Sequence, residues 1–93
     1  MIRLEGQLVR VTGPLTMQTV PAMVGAVEEH LVAGATQIDF SQVTEVDSSA
    51  VALTLEWQRV AARNHVSLEL LNLPAAMLNL SKLYGVSDLV QPR

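Results

Sequence analysis

The sequence predicts one α/β domain spanning residues 1–93, with a mixed four-stranded sheet and about three helices. Segments that alternate apolar and polar residues are typical of strands, and two longer segments show the helical repeat of apolar residues. These segments follow one another in the order β-β-α-β-α-β-α. Strand–helix–strand units require crossovers, so the later strands are expected to pair in parallel. The chain is 49% hydrophobic, which suffices for one modest core.

The first third of the chain predicts a hairpin followed by a helix. Residues 1–11 contain two short alternating runs separated by Gly6-Gln7, which can turn. Gly13-Pro14 is expected to end the second strand, and Gly34 to end the helix. Thr16 and Thr19 are candidate helix caps. The helix is marked by one apolar stripe, which consists of Val20, Met23, Val24, Val27 and Leu31.

The segment 38–53 organises the rest of the chain. It predicts a strand over residues 36–40, a short connection, and a helix from about residue 50 to residue 63 or 64. Between them, Asp47, Ser48 and Ser49 carry short oxygen-bearing side chains that can cap a helix. One apolar side of the helix consists of Ala50, Leu53, Trp57, Val60 and Ala61.

A second apolar side of this helix consists of Val51, Leu55 and Ala62. One of these two sides must cover the sheet, and a neighbouring helix, a partner protein or a second copy of the chain could cover the other. The remaining sequence predicts a strand over 66–71 and a short helix over 75–84 that ends at Gly85. Leu89-Val90 could pack against the domain or remain available to a partner.

Composition and motifs argue against most kinds of chemistry. The net charge is −3 without a Lys/Arg cluster, which disfavours nucleic acid as a partner. There are no cysteines, no phosphate-binding glycine loop, and no apolar run of about 18 residues that could insert in a membrane. No signal peptide is evident, so we expect a cytoplasmic location. A Ser48–His–Asp47 hydrolase is disfavoured because the nucleophile elbow is missing and Asp47 and Ser48 are neighbours. We expect no enzymatic activity, metal or cofactor.

Two motifs and the order of the elements resemble the STAS domain (sulfate transporters and anti-sigma factor antagonists). The main one is Asp47-Ser48-Ser49-Ala50-Val51-Ala52-Leu53, which follows a strand that is expected to end in Asp39-Phe40-Ser41. The family form is Asp-Ser/Thr-Ser/Gly-Gly before an apolar helix. Gly13-Pro14-Leu15-Thr16 lies where the family often has Gly-x-Leu-Asp. The order of elements matches this family over the whole chain.

The C-terminal segments 80–86 and 90–93 look like the MlaB-type branch of this family, which belongs to the Mla phospholipid-transport ABC complex. That resemblance implies an accessory subunit without catalysis. Its partner would be an MlaF-like ABC ATPase, in a complex with permease and lipid-binding subunits. Such a complex moves phospholipids between the inner and outer membranes and maintains lipid asymmetry. The subunit would then be peripheral to the inner membrane through this complex.

The resemblance leaves a second function open. An anti-sigma factor antagonist would bind an anti-sigma factor instead and would be regulated by phosphorylation at the position of Ser48. Two departures from the family favour the transporter subunit: Ala50 replaces the usual glycine, and Thr16 replaces the usual acid. The partner-binding residues we expect are Ser48, Ser49 and Val51, followed by Thr16 and Leu55.

Overall fold

The structure, a computed structural model, describes residues 2–83. Its seven elements follow the predicted order: β1 Ile2–Glu5, β2 Leu8–Leu15, α1 Val20–Val32, β3 Gln37–Val46, α2 Ser48–Arg63, β4 Glu69–Leu71 and α3 Ala75–Leu83. The sheet has the strand order β1-β2-β3-β4. β1 and β2 form the antiparallel hairpin, and β2–β3 and β3–β4 are parallel pairs. The predicted α/β class with a mixed sheet and three helices is confirmed.

Two strands are longer than the sequence predicts. Gly13-Pro14 does not end β2, because Gly13 pairs with Val43 and Pro14 with Glu45 of the adjacent strand. β3 likewise continues from Phe40 to Val46, and no connection separates it from α2 except Asp47. Irregular register between β2 and β3 near Pro14 accommodates a residue that cannot donate a backbone hydrogen bond.

Other boundaries also shift. β4 has only three residues, Glu69–Leu71, instead of the predicted 66–71. α2 begins at Ser48, two residues before the apolar stripe from which the helix was predicted. Gly34 has φ +113° and follows α1, as expected for a residue that ends a helix. The predictions for Gly85 and for Leu89-Val90 lie outside the described residues.

The core lies between the sheet and the helices. The sheet contributes Val9, Val11, Ile38, Phe40 and Leu70. Of the two apolar sides of α2, the one that contains Trp57 is buried throughout and is the side that covers the sheet. The rings of Phe40 and Trp57 are 6.4 Å apart between centroids and tilted by 39°. This burial of apolar surface, rather than helix propensity, is what holds α1 and α2 against the sheet.

The other face of the sheet is polar and internally paired. Arg10 Nη1 lies 2.5 Å from Asp39 Oδ2, and Asp39 is only 4% exposed. Asn72 Nδ2 donates to Asp39 Oδ1 at 2.8 Å, and the Ser41 hydroxyl donates to Asp39 Oδ2 at 2.8 Å. Burial acts to raise the pKa of Asp39, but hydrogen bonds from Asn72 and Ser41, together with Arg10, hold that pKa below its usual value.

We predict that Asp39→Asn lowers the free energy of unfolding at pH 7 by about 2 kcal/mol, because it weakens buried hydrogen bonds to a charged group. Urea denaturation followed by Trp57 fluorescence measures this. Glu5→Gln is the control, since Glu5 Oε2 contacts the same guanidinium at 3.2 Å but on the exposed side. We expect it to leave the urea midpoint nearly unchanged. Equal midpoints for Asp39→Asn and the wild type would contradict the prediction.

The contribution of Asp39 should also depend on pH in a defined direction. Its pKa is lowered in the folded state. The stabilisation is therefore present above about pH 4, where an unfolded carboxyl is ionised, and is lost as pH falls through the folded-state pKa. The difference in unfolding free energy between wild type and Asp39→Asn should shrink in acid. If the difference in unfolding free energy between the two proteins grows below pH 4, the prediction is wrong.

Candidate functional site

The candidate site lies where the chain leaves the carboxyl ends of the two central parallel strands. Leu15 and Val46 are register partners at the ends of β2 and β3. From there, β2 continues into the loop of residues 16–19, and β3 continues through Asp47 into α2. Two segments that are thirty residues apart in sequence thus meet at one edge of the sheet. In open parallel sheets this edge is the usual position of binding sites.

Asp47 joins these two segments. It is the N-cap of α2, with φ −135° and ψ −168°, and its Oδ1 accepts the Ser49 N–H at 2.9 Å and also the Ser49 hydroxyl. Its Oδ2 accepts the Met17 N–H at 3.0 Å, and its own N–H donates to Leu15 O at 3.2 Å. One carboxylate therefore caps the helix and fixes the preceding loop.

Electrostatics agree with this geometry. The Ser49 hydroxyl, the Met17 N–H and the Ser49 N–H all donate to the carboxylate, and together they outweigh burial and lower the pKa of Asp47. The N-terminus of a helix also favours negative charge. Asp47 is therefore ionised at neutral pH, and the two oxygens of one carboxylate supply the helix cap and the tie to the loop.

The two predicted contact serines have different environments. Ser48 is the first residue of α2 and its side chain is exposed. Ser49 is half-buried, and its hydroxyl donates to Asp47. The sequence suggested that any of the three residues could cap the helix, and the structure assigns that role to Asp47. Ser48 is thereby left as an exposed residue at the start of the helix.

The other predicted contact residues are largely enclosed. Thr16 is 8% exposed, and its hydroxyl donates to Gln18 Oε1 at 2.9 Å. Val51 is 3% exposed and belongs to the core, Leu55 is half-buried against it, and Ala62 is exposed. The second apolar side of α2 is therefore covered within the domain at its N-terminal end and open at its C-terminal end.

Met17 is the residue of this edge that the sequence did not reveal. The residue is 70% exposed, although its backbone N–H is held by Asp47. A single methionine in a loop has no periodicity, so no local pattern distinguishes it. Only the three-dimensional structure shows that the loop containing Met17 lies beside the start of α2.

Neither histidine is close to this edge. His30 lies in the last turn of α1, and His65 follows α2 with φ +58°. Because α2 rises about 1.5 Å per residue, His65 is roughly 25 Å along the helix from Ser48. This placement argues against a Ser48–His–Asp47 hydrolase. Within residues 2–83, no group of three or more acidic or histidine side chains could hold a metal ion.

Comparison with known proteins identifies the class of domain. A family model described as "Mlab, STAS domain" matches residues 2–91, so the chain belongs to the STAS domain family. No curated protein matches it. Across the described part of the chain, no helix is long and apolar enough to cross a membrane.

Two solved structures are similar to this chain. One is the anti-sigma factor antagonist SpoIIAA in its unphosphorylated form, with a TM-score of 0.71 and 21% identity over 95% of this chain and 82% of that chain. The other is the Bacillus cell fate determinant SpoIIAA in the phosphorylated form, with a TM-score of 0.68 and 22% identity over 95% of this chain and 85% of that chain. At this identity the likeness establishes a shared fold.

Substitutions at Asp47 should separate its two roles. Asn is as good an N-cap as Asp, but its side chain has only one acceptor oxygen, so Asp47→Asn should keep the bond to Ser49 N–H and lose the one to Met17 N–H. Asp47→Ala should lose both. Amide hydrogen exchange measured by NMR should show faster exchange at Met17 in both variants, and at Ser49 only in Asp47→Ala. Unchanged exchange at Met17 in Asp47→Asn would contradict this assignment.

Proposed function

We propose that this chain is a non-catalytic accessory subunit that binds and supports the cytoplasmic ATPase of an Mla-type ABC transporter. Such a transporter moves phospholipids between the inner and outer membranes. The observation that carries the proposal is the match of residues 2–91 to the family model described as "Mlab, STAS domain". The proposal places the chain in the cytoplasm, at the inner membrane, through its complex with the ATPase, the permease and the lipid-binding subunits.

The surface we propose for binding the ATPase is the docking edge, defined as Thr16, Met17, Ser48 and Ser49. Ser48 is the exposed hydroxyl of this edge, and Ser49 and Thr16 hold their neighbours through hydrogen bonds. Val51 belongs to the core and Leu55 packs against it, so these two residues hold the first turns of α2 in place beneath the exposed surface. A surface that is already ordered loses little conformational entropy on binding, which favours its use in recognition.

A charge at Ser48 should distinguish this edge from other surfaces. We predict that Ser48→Glu weakens binding to the purified MlaF-like ATPase by at least about tenfold, because the carboxylate must lose its water in the interface and is bulkier than the hydroxyl that it replaces. The fold should be retained, since negative charge at a helix N-terminus is favourable. Biolayer interferometry measures the affinity, and circular dichroism checks the fold.

Ser67→Glu is the matched control. Ser67 is also an exposed serine, but it lies in the loop before β4, at the amino end of that parallel strand and thus at the opposite edge of the sheet. The Ser67→Glu variant should bind the ATPase with the same affinity as the wild type. If Ser48→Glu retains wild-type affinity while folded, Ser48 is not in the interface. If the wild-type chain does not bind the ATPase at all, the transporter role is wrong.

The second candidate function is that of an anti-sigma factor antagonist regulated by phosphorylation of Ser48. The observation that favours it is the fold shared with SpoIIAA, which is known in unphosphorylated and phosphorylated forms. A phosphate on Ser48 would add roughly −1.5 to −2 charge at a helix N-terminus, beside the like charge of Asp47.

Mass spectrometry discriminates these two functions. The chain is incubated with ATP and the anti-sigma kinase from the same organism, and Ser48→Ala is the control. Under the transporter proposal no phosphate is incorporated. Stoichiometric phosphate on the wild type that is absent from Ser48→Ala would favour the antagonist instead.

A further inference from the structure

We propose that the partner offers the docking edge an apolar socket for Met17, with a Lys or Arg side chain beside it that faces Glu45 and Asp47. This inference rests on the proposed function and specifies the chemistry of the ATPase surface. Met17 would be the apolar anchor, and the two carboxylates would fix its orientation relative to the partner.

The first argument is that Met17 is exposed but its backbone is fixed. The residue is 70% exposed, and its N–H donates to Asp47 Oδ2 at 3.0 Å. The turn around it is closed by Thr16 N–H, which donates to Thr19 Oγ1 at 2.9 Å, and by the Thr19 hydroxyl, which donates to Pro14 O at 2.7 Å. Because the backbone of this turn is already ordered, binding costs mainly the rotamer freedom of the thioether side chain, which can adapt to an irregular pocket.

The second argument is the position of Met17 relative to other exposed apolar residues. Leu4 lies on the outer strand β1, Val32 is the last residue of α1, and Leu83 is the last residue of α3. α1 starts beside the docking edge and runs back along the sheet, so Val32 lies at the opposite edge. Among the large apolar side chains exposed in residues 2–83, Met17 is the one on the docking edge.

The third argument is the distribution of charge. The segments that form this edge, 12–20 and 41–55, contain Glu45 and Asp47 and no Lys or Arg. Glu45 is exposed and pairs in register with Pro14. The cations of the described part of the chain lie on other segments: Arg3, Arg10, Arg59, Arg63 and Lys82.

The arginines lie too far from the docking edge to neutralise it, and Arg3 is as distant as Arg10 because the two pair in register. Arg10 is five residues before the end of β2, about 16 Å along the strand, and it already contacts Glu5 and Asp39. Arg59 and Arg63 lie in the second half of α2, which leads away from Asp47. The edge is therefore negative, and a partner surface that complements it is positive.

The test compares two variants of the docking edge with two matched variants of the opposite edge. Met17→Ala and Glu45→Lys are compared with Val32→Ala and Glu29→Lys, because Val32 and Glu29 are exposed residues near the end of α1. Affinity for the purified ATPase is measured by biolayer interferometry between about 50 and 300 mM salt, a range over which surface charges become largely screened.

We expect Met17→Ala to raise Kd about tenfold at every salt concentration, because the lost contact is apolar. We expect Glu45→Lys to raise Kd about fivefold at low salt, mainly through a slower association rate, and to flatten the salt dependence. Both controls should bind as the wild type does. If Ser48→Glu weakens binding but Met17→Ala and Glu45→Lys do not, this inference is wrong and the proposed function stands. If the wild type does not bind the ATPase, both fail.

Discussion

The structure of the docking edge depends on the hydrogen bonds of one carboxylate. Asp47 receives the N–H and hydroxyl of Ser49 on one oxygen and the N–H of Met17 on the other. Because one side chain caps α2 and holds the loop before α1, the helix start and the loop cannot move independently. The exposed Ser48 is positioned by this arrangement without taking part in it. The surface that we propose for recognition is thus held in place by interactions within the chain itself.

Local pattern was sufficient to predict most of the fold. Helical stripes predicted α1 and α2, and the element order predicted parallel pairing, because both depend on nearby residues and on general rules of connection. The extensions of β2 through Pro14 and of β3 to Val46 were not predicted. These two extensions pair with each other in the sheet, although they are about thirty residues apart in sequence. Neither segment shows a clear alternation of apolar and polar residues, so neither could be predicted as a strand from its own sequence.

Local pattern also predicted some features of the candidate site. The run from Asp47 to Ser49 identified the cap and the exposed serine region, since short oxygen-bearing side chains before an apolar helix have a local meaning. Burial of Val51 and Thr16 could not be read from their own segments, because it depends on the neighbours that the fold provides. Met17 was not among the predicted residues, because its position beside the start of α2 depends on a hydrogen bond to Asp47 across the sheet edge.

The single tryptophan of the chain gives the fold a built-in optical reporter. Trp57 is fully buried beside Phe40 and lies about 14 Å along α2 from Ser48. In an apolar interior its emission is blue-shifted, and exposure to water on unfolding moves it to longer wavelength. The intrinsic signal therefore follows the integrity of the core without a label, while substitutions at the distant sheet edge leave the chromophore's surroundings intact.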